Sequence, residues 1–306
     1  MNTTAPPVIE VSGLTKRYGD QLAVDRVDLT VRRGEVYGFL GPNGAGKTTT
    51  LRILTGLITP NAGTVRVLGG RPGDSAVLAR TGSLIESPAF YPYLSGRDNL
   101  RVLAEYAEVP AARVDAVLDL VDLTGRAQDR FSTYSLGMKQ RLGVAAALLK
   151  EPDLVILDEP TNGLDPAGMR DMRRLIRELG SGNRTVMLSS HLLGEVQQIC
   201  DRVGIISEGR MVAERTVGEL SGEHELVIAA DPLDEARRHL STLVGADAVR
   251  TTDDRLRVQV DPQAVAGINK VLVDAGVAVS ELRTAERTLE DVFFELTTRK
   301  ESGDAR

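Results

Sequence analysis

The alternation of apolar and polar positions along the chain predicts a series of short strands. Residues 8–11 and 27–31 alternate, or nearly alternate, as half-buried strands do. Three other short runs are apolar, one of them after a first threonine, which is typical of strands covered on both faces of a sheet. These runs are VYGFL at 36–40, LVIL at 154–157 and TVML at 185–188. The sequence VGIISEGRMVAE at 203–214 predicts a hairpin with Glu208 and Gly209 in its turn.

Helical patterns fill most of the sequence between these strands. Leu51, Leu54 and Ile58 recur on one stripe and predict an amphipathic helix. A much longer helical pattern covers about residues 98–150, and another begins near Pro166. Buried strands with intervening helices predict an α/β fold for this part of the chain.

The periodicity breaks around residues 221–225 and restarts in a different order. Beyond the break it predicts strand, helix, two strands, helix and strand, which is the split βαβ, ferredoxin-like plan. A last amphipathic helix is predicted over 288–300, with an apolar side formed by Leu289, Val292, Phe293 and Leu296. We therefore expect a flexible N-terminus (1–7), a main α/β domain (8–220), a small α+β accessory domain (222–300) and a disordered tail (301–306).

Composition and charge narrow the class of protein. Of the 306 residues, 42% are hydrophobic, which allows a substantial core, and the formal net charge is −6. No basic stripe is present, so nucleic acid is not expected as a partner. The N-terminus predicts no secretory signal, and no apolar run approaches the roughly 18 residues that span a bilayer, so a membrane role needs a separate partner chain. The single cysteine, Cys200, is expected to be a small core residue in a reducing cytoplasm.

Residues 41–48, GPNGAGKT, match the pattern Gly-x-x-x-x-Gly-Lys-Ser/Thr between a buried strand and a helix. Glycines allow the backbone to fold so that successive N–H groups point at phosphate oxygens. Lys47 is suited to reach the β- and γ-phosphates, and the Thr48 hydroxyl is suited to ligate Mg²⁺. The simpler alternative, a glycine-rich turn without a ligand, leaves the flanking strand and helix unexplained.

Three further polar residues follow buried strands. Asp158 and Glu159 come directly after LVIL, at the end of the strand where α/β sheets bind ligands. Asp158 is suited to hold the water shell of Mg²⁺, and Glu159 to orient and polarise an attacking water. A solvated acidic loop is the weaker alternative, because the phosphate motif is also present. His191 follows TVML and is expected at the same edge, where it can donate to the γ-phosphate, whereas His224 and His239 are interpreted as structural.

A second helix start with the features of an anion site occurs at 134–141, YSLGMKQR. Ser135 is a good N-cap, and Gly137 has no side chain to block the approach of a ligand. Free backbone N–H groups and the helix dipole favour an anion at such a start. An ordinary capped helix is the alternative. One chain therefore contains two candidate phosphate-binding elements.

In their order along the chain, these motifs resemble the nucleotide-binding subunit of ATP-binding cassette (ABC) transporters. The resemblance covers about residues 8–220 and rests on Tyr18, GPNGAGKTT, YSLGMKQR, LVILDEP, GLDP at 163–166 and SSH. IESPAFYPYLSGRDNL and TLEDVFFELT further resemble the drug- and bacitracin-resistance exporter branch. The implied fold is a P-loop NTPase cassette with a RecA-like core, an antiparallel β subdomain and an α-helical subdomain, followed by the small ferredoxin-like domain.

The resemblance implies a site for ATP and Mg²⁺ that two cassettes share. It implies catalytic roles for Lys47, Glu159 and His191, and Mg²⁺ contacts for Thr48, Glu86 and Asp158. It implies ATP contacts for Tyr18, which would stack on adenine, and for Gly41, Pro42, Asn43, Gly44, Ala45, Gly46, Lys47, Thr48 and Thr49. The segment formed by Ser135, Leu136, Gly137 and Met138 would close over the ATP of the partner cassette, which explains the second anion site. Asp165 would lie at the seam between the two cassettes.

The same resemblance implies a contact with a permease. Glu86 stands where most relatives have glutamine, at a position that senses the metal and moves with the permease; the bacitracin-resistance branch shares this glutamate. Phe90, Tyr91 and Tyr93 follow, and aromatic residues on a loop are typical of docking surfaces. Packing in the core is the alternative for these aromatic residues.

The expected function is ATP hydrolysis that powers efflux of a drug, antibiotic or antimicrobial peptide through a separate integral membrane permease. The second cassette would be a copy of this chain or a related chain. The subunit would lie at the cytoplasmic face of a bacterial plasma membrane, held there by the permease. The alternative is a soluble ABC ATPase that acts on a macromolecular machine, but the tandem cassettes or long coiled-coil insertion of such relatives are not found here. A partner that only binds nucleotide is disfavoured because Glu159 and His191 are intact.

Overall fold

Six strands form the main sheet: β3 (Val36–Leu40), β5 (Thr81–Leu84), β6 (Leu154–Leu157), β7 (Thr185–Ser190), β8 (Arg202–Ser207) and β9 (Arg210–Thr216). The computed structural model describes residues 6–182, 184–221, 224–252, 254–260 and 264–286, in two units that divide between Thr216 and Val217. The strand order in the sheet is β5-β6-β7-β3-β8-β9, and all neighbours are parallel except the last pair.

The apolar runs of the sequence form the centre of this sheet. Every residue of β3 and β6 is buried, as predicted for strands that are covered on both faces. The predicted hairpin is also confirmed, because β8 and β9 pair antiparallel around Glu208 and Gly209, which both have positive φ. Because β3, β6 and β7 are parallel and adjacent, their carboxyl ends meet at one edge of the sheet.

A second, antiparallel sheet of three strands packs on the same core. It contains β1 (Ile9–Tyr18), β2 (Gln21–Val31) and β4 (Ala62–Val67), in the order β2-β1-β4. Helix α1 (Lys47–Leu54) contributes Leu51 and Leu54 to the apolar cluster that also contains residues of both sheets. The predicted helix, which included Ile58, was too long. Helix α1 ends before Gly56, whose φ of 75° is typical of a residue that follows a helix. Ile58 packs against the same cluster from outside the helix.

The helical prediction for residues 98–150 was wrong in its continuity. The structure has three helices in this region: α3 (Gly96–Tyr106), α4 (Ala112–Leu120) and α5 (Leu136–Leu148). The first break contains Glu108, which has a φ of 54°, and Pro110, which cannot donate a helical hydrogen bond. The second break contains two short 3₁₀ turns, Thr124–Arg126 and Phe131–Thr133. The other helices in the described part of this unit are the four-residue α2 (Ser75–Leu78), α6 (Pro166–Gly180) and α7 (Leu193–Ile199).

The second unit has its own sheet and its own apolar cluster. Its elements are α8 (Val217–Ser221), β10 (His224–Asp231), α9 (Leu233–Val244), β11 (Val249–Thr252), β12 (Arg255–Gln259), α10 (Val265–Asp274) and β13 (Ala278–Glu286). From β10 onward they follow the predicted order, in an antiparallel sheet with the order β11-β12-β10-β13. The assignment of this unit to the ferredoxin-like class stays a prediction. The helix predicted at 288–300 and the tail at 301–306 lie outside the described residues, as do residues 1–5.

Two predictions from composition can be compared with the structure. Cys200 is buried at the end of α7, and this burial raises the pKa of its thiol well above the usual value, as expected for a core residue. None of the helices in the described ranges has the length and apolarity that a membrane-spanning segment needs.

Candidate nucleotide site

The loop 41–46 links β3 to α1, and its glycines are required by close backbone approaches. A Cβ at Gly41 would lie 2.3 Å from the carbonyl oxygen of Ile206, and one at Gly46 would lie 2.4 Å from that of Ala23. Gly46 also has a φ of 101°, in the region that favours glycine. The loop therefore delivers the first turn of α1 with N–H groups that have no partner within the helix, the usual arrangement of an anion site.

The side chain of Lys47 lies folded into this loop. Its Nζ donates to the carbonyl oxygens of Gly41 and Pro42, at 2.7 and 3.2 Å. The same atom lies 3.1 Å from Oε1 of Glu159, and the side chain is only 6% exposed. An ammonium group has three donors, and these three oxygens accept all of them. Lys47 is therefore fixed between the loop and the acidic end of β6.

Glu159 also contacts His191, across the edge of the sheet. Nδ1 of His191 lies 2.8 Å from Oε2 of Glu159, so the carboxylate lies between the ammonium of Lys47 and the imidazole. Each of the three residues follows a different strand of the main sheet. The structure thus brings together the three residues that the sequence analysis selected as catalytic.

Tyr18 and the loop share one cavity with Glu159. Its volume is about 320 Å³, at the lower end of the range for small-molecule sites. It is lined by Tyr18, Gln21, Ala23, Asn43, Gly44, Gly46, Lys47, Thr48, Thr49 and Glu159. Tyr18 ends β1 with 44% of its surface exposed, and Lys16 lies over its ring at 5.2 Å. Ala45, in contrast, is buried, so only its backbone is suited to contact the nucleotide.

Thr48 and Asp158, two of the three residues predicted to contact Mg²⁺, are in direct contact. The Thr48 hydroxyl donates to Oδ2 of Asp158 at 2.8 Å, and Asp158 is buried. Within the described ranges there is no cluster of three or more His, Cys, Asp or Glu that could hold a metal alone. Mg²⁺, however, is usually held by one or two carboxylates together with water and phosphate. The oxygen donors of Thr48 and Asp158 fit such an ion when it is shared with a nucleotide.

Glu86 has a partner that the sequence analysis missed. Its carboxylate forms an ion pair with Arg52, in the last turn of α1, and its side chain is 60% exposed. Its backbone φ is 64°, an uncommon conformation for a residue with a side chain. The two residues lie far apart in the sequence, so no local pattern indicated the pair. The structure therefore adds Arg52 to the residues around the predicted metal sensor.

The second candidate anion site begins α5. The Ser135 hydroxyl accepts the N–H of Met138 at 3.3 Å, so Ser135 acts as the N-cap. A Cβ at Gly137 would meet only Leu164, at an ordinary 3.8 Å, so packing within the described chain does not require glycine there. Leu136, 48% exposed, lies against Gly163.

Asp165 lies just beyond the loop that Leu136 contacts. Its side chain is exposed and caps α6, where Oδ1 accepts the N–H of Gly168 at 2.9 Å. The segment 135–138 therefore contacts residues 163–164, which directly precede Asp165. The two elements predicted to face the partner cassette lie next to each other on the surface.

The three loop aromatic residues separate into two groups. Phe90 is half-buried and packs edge-on against Phe131, with ring centroids 5.1 Å apart, so the core-packing alternative describes Phe90. Tyr91 and Tyr93 are 51% and 66% exposed, and their ring centroids are 5.8 Å apart. Asn99 braces the loop, since its side chain accepts the N–H of Tyr91 and donates to the carbonyl of the same residue. Of these three residues, Tyr91 and Tyr93 form an exposed aromatic pair.

Comparisons with known proteins agree with this geometry. Residues 24–162 match the family model described as ABC transporter. The chain is 39% identical to the bacitracin transport ATP-binding protein BcrA of Bacillus licheniformis, over 94% of this chain and 97% of that protein. It is 37% identical to the daunorubicin resistance ATP-binding protein DrrA3 of Streptomyces coeruleorubidus, over 96% of each. A solved ATP-binding subunit of an ABC transporter is 30% identical, with a TM-score of 0.63 over 70% of this chain and 92% of that one.

Proposed function

The chain belongs to the ABC transporter family as an ATP-binding subunit, and on that premise we propose that it hydrolyses ATP to power efflux through a separate permease. The bacitracin transport of BcrA and the daunorubicin resistance of DrrA3 support a drug, antibiotic or antimicrobial peptide as the transported class. The observation that carries the proposal is the contact of Glu159 with both Lys47 and His191 beside the phosphate loop.

Each residue of this site has a part in the proposed hydrolysis. The loop N–H groups and Lys47 bind the phosphates, and Glu159 orients and polarises the attacking water. His191 holds the Glu159 carboxylate and offers its other ring nitrogen to the phosphate. Thr48 and Asp158 would hold Mg²⁺, which when bound polarises the phosphate oxygens. Tyr18, which lines the cavity, is proposed to stack on adenine.

We further propose that two cassettes form each hydrolytic site. The free space around Gly137 and the exposure of Ser135 support their approach to the nucleotide of the partner, with Asp165 at the seam. The partner is a copy of this chain or a related chain. The pair would bind the cytoplasmic side of the permease, as expected for a peripheral subunit.

Affinity capture from detergent-solubilised bacterial membranes tests this function. A tagged chain is expected to retain an integral membrane protein and to show Mg²⁺-dependent ATP hydrolysis that rises when the transported compound is added. Capture of a ribosome or another macromolecular machine in place of a membrane protein would favour the non-transport alternative.

Replacing Tyr91 and Tyr93 together with alanine is expected to uncouple hydrolysis from transport. The exposed pair is well suited to bury aromatic surface against a cytoplasmic helix of the permease. Loss of such anchors typically costs about 2 kcal/mol or more of binding free energy, so we expect at least a roughly tenfold fall in export while the ATPase of the isolated chain is unchanged. Tyr106→Ala, which removes a tyrosine that is 90% exposed at the end of α3, is the matched control. Unchanged export by the double variant would contradict this role.

Arg52→Gln is expected to lower the Mg²⁺ concentration that half-saturates hydrolysis. Arg52 competes with the metal for the carboxylate of Glu86, and an exposed ion pair contributes up to about 1 kcal/mol, which corresponds to about a fivefold shift. In the Glu86→Gln background the same Arg52 substitution should have no such effect. An equal shift in both backgrounds would show that Arg52 acts on the metal without Glu86.

A further inference from the structure

The hydroxyl group of Ser189 connects the two acidic residues that follow β6. Its Oγ donates to Oδ1 of Asp158 at 2.5 Å and accepts the backbone N–H of Glu159 at 2.9 Å. The side chain is completely buried near the end of β7. One buried hydroxyl therefore contacts both residues to which the proposed function assigns the metal and the attacking water.

The bond to Asp158 gives its carboxylate a second hydroxyl donor. Thr48 donates to Oδ2, and Ser189 donates to Oδ1, so each oxygen accepts one hydroxyl hydrogen. Two donors on opposite oxygens fix the plane of the carboxylate relative to the phosphate loop. Groups that orient a metal ligand in this way usually affect metal affinity as well as activity.

The bond to Glu159 stabilises an uncommon backbone conformation. Glu159 has a φ of 48°, in the left-handed region that residues with side chains rarely adopt. Such a conformation persists where the surrounding structure holds it. Ser189 accepts the N–H of Glu159, and the carbonyl oxygen of Glu159 accepts the N–H of Asn162 at 3.1 Å. With the backbone held in this way, the side chain lies between Lys47 and His191.

We propose that Ser189 is a positioning residue for hydrolysis. Its hydroxyl orients the Asp158 carboxylate toward the metal and holds Glu159 at the backbone angle that directs its side chain to the water. The inference rests on the proposed function, because the roles of Asp158 and Glu159 belong to it. In Ser189→Ala, Oδ1 of Asp158 loses its hydroxyl donor and the N–H of Glu159 loses its acceptor, both in a buried place.

The test compares Ser189→Ala with two other variants of the full chain. Ser189→Thr keeps the hydroxyl. Thr185→Val removes another completely buried hydroxyl of β7, which accepts the N–H of Gly34 at 3.0 Å at the opposite end of the strand. The affinity for Mn²⁺ is measured by electron paramagnetic resonance on the ADP-bound protein, together with ATP turnover, metal-free ADP affinity and thermal unfolding.

Ser189→Ala is expected to weaken Mn²⁺ binding and to slow turnover by about 10- to 100-fold each. Metal-free ADP affinity should be little changed, since Ser189 lies beyond the cavity. Ser189→Thr should restore most of both losses, and Thr185→Val should show neither. The inference would be overturned if Ser189→Ala had the same Mn²⁺ affinity and turnover as the unmodified chain. Equal losses in Thr185→Val would also overturn it. Absence of metal-dependent ADP binding and of ATPase in the natural chain would instead contradict the proposed function.

Discussion

A chain with Glu159→Gln is expected to hydrolyse ATP about 10²- to 10⁴-fold more slowly than the natural chain while it still binds ATP. Glutamine has nearly the shape of glutamate, but its neutral amide cannot take up the proton of an attacking water. It keeps an oxygen that can accept from Lys47, so the phosphate loop should retain its shape. Because binding persists and cleavage is slow, the ATP-bound pair of cassettes should accumulate.

The measurements are phosphate release at saturating Mg²⁺ and ATP, and size-exclusion chromatography with ATP present. Glu151→Gln is a matched control. The backbone of Glu151 also lies in the left-handed region, with a φ of 53°, and its exposed side chain forms an ion pair with Arg113. This control should hydrolyse ATP at the natural rate. Near-natural turnover by Glu159→Gln would assign the water-activating role to another group, and equal losses in both variants would indicate a general effect of charge.

The sequence predicted most directly the strands that are buried on both faces. The runs at 36–40 and 154–157 are apolar throughout, and the run at 185–188 is apolar after Thr185, because both faces of β3, β6 and β7 are covered. This leaves a visible pattern in the sequence. Strand β5, TGSL, has no such pattern and was missed. A Cβ at its Gly82 would lie 2.0 Å from the carbonyl oxygen of Ala147 in α5. Contact with a helix that is distant in the sequence therefore requires glycine at this position of the strand.

The candidate site was predictable to the extent that its residues belong to local motifs. Lys47, Glu159 and His191 could each be found because a strand precedes them, and parallel strands bring such residues to one edge. Ser189 and Arg52 could not be found in this way. A serine at the end of a buried strand and an arginine on a helix are ordinary residues, and their partners are set by the pairing of β6 with β7 and by the conformation of the loop at Glu86.

Two inactive variants of this chain are expected to restore each other's activity when they are mixed. Lys47→Ala removes the phosphate cation of the loop, and Gly137→Asp sets a negative charge where the partner's phosphate would approach. Each alone should lower turnover by about 10²- to 10³-fold, since the first removes a charge that stabilises the transferred phosphate and the second adds one that repels it. The aspartate should not disturb folding, because among the described residues a Cβ at Gly137 meets only Leu164, at 3.8 Å.

In a mixed dimer, one of the two sites combines the loop of the Gly137→Asp chain with the helix start of the Lys47→Ala chain, and both of these halves are natural. With equal amounts of the two variants, half of the dimers are mixed and each has one natural site, so roughly a quarter of the natural activity should return. Differently tagged chains that co-purify show whether mixed dimers form, and Gly125→Asp, at another site open enough for a Cβ, is the control for the added charge. Natural activity in Gly137→Asp alone would show that the start of α5 has no part in hydrolysis. Mixed dimers that form and remain inactive would contradict the idea that each chain completes the site of its neighbour.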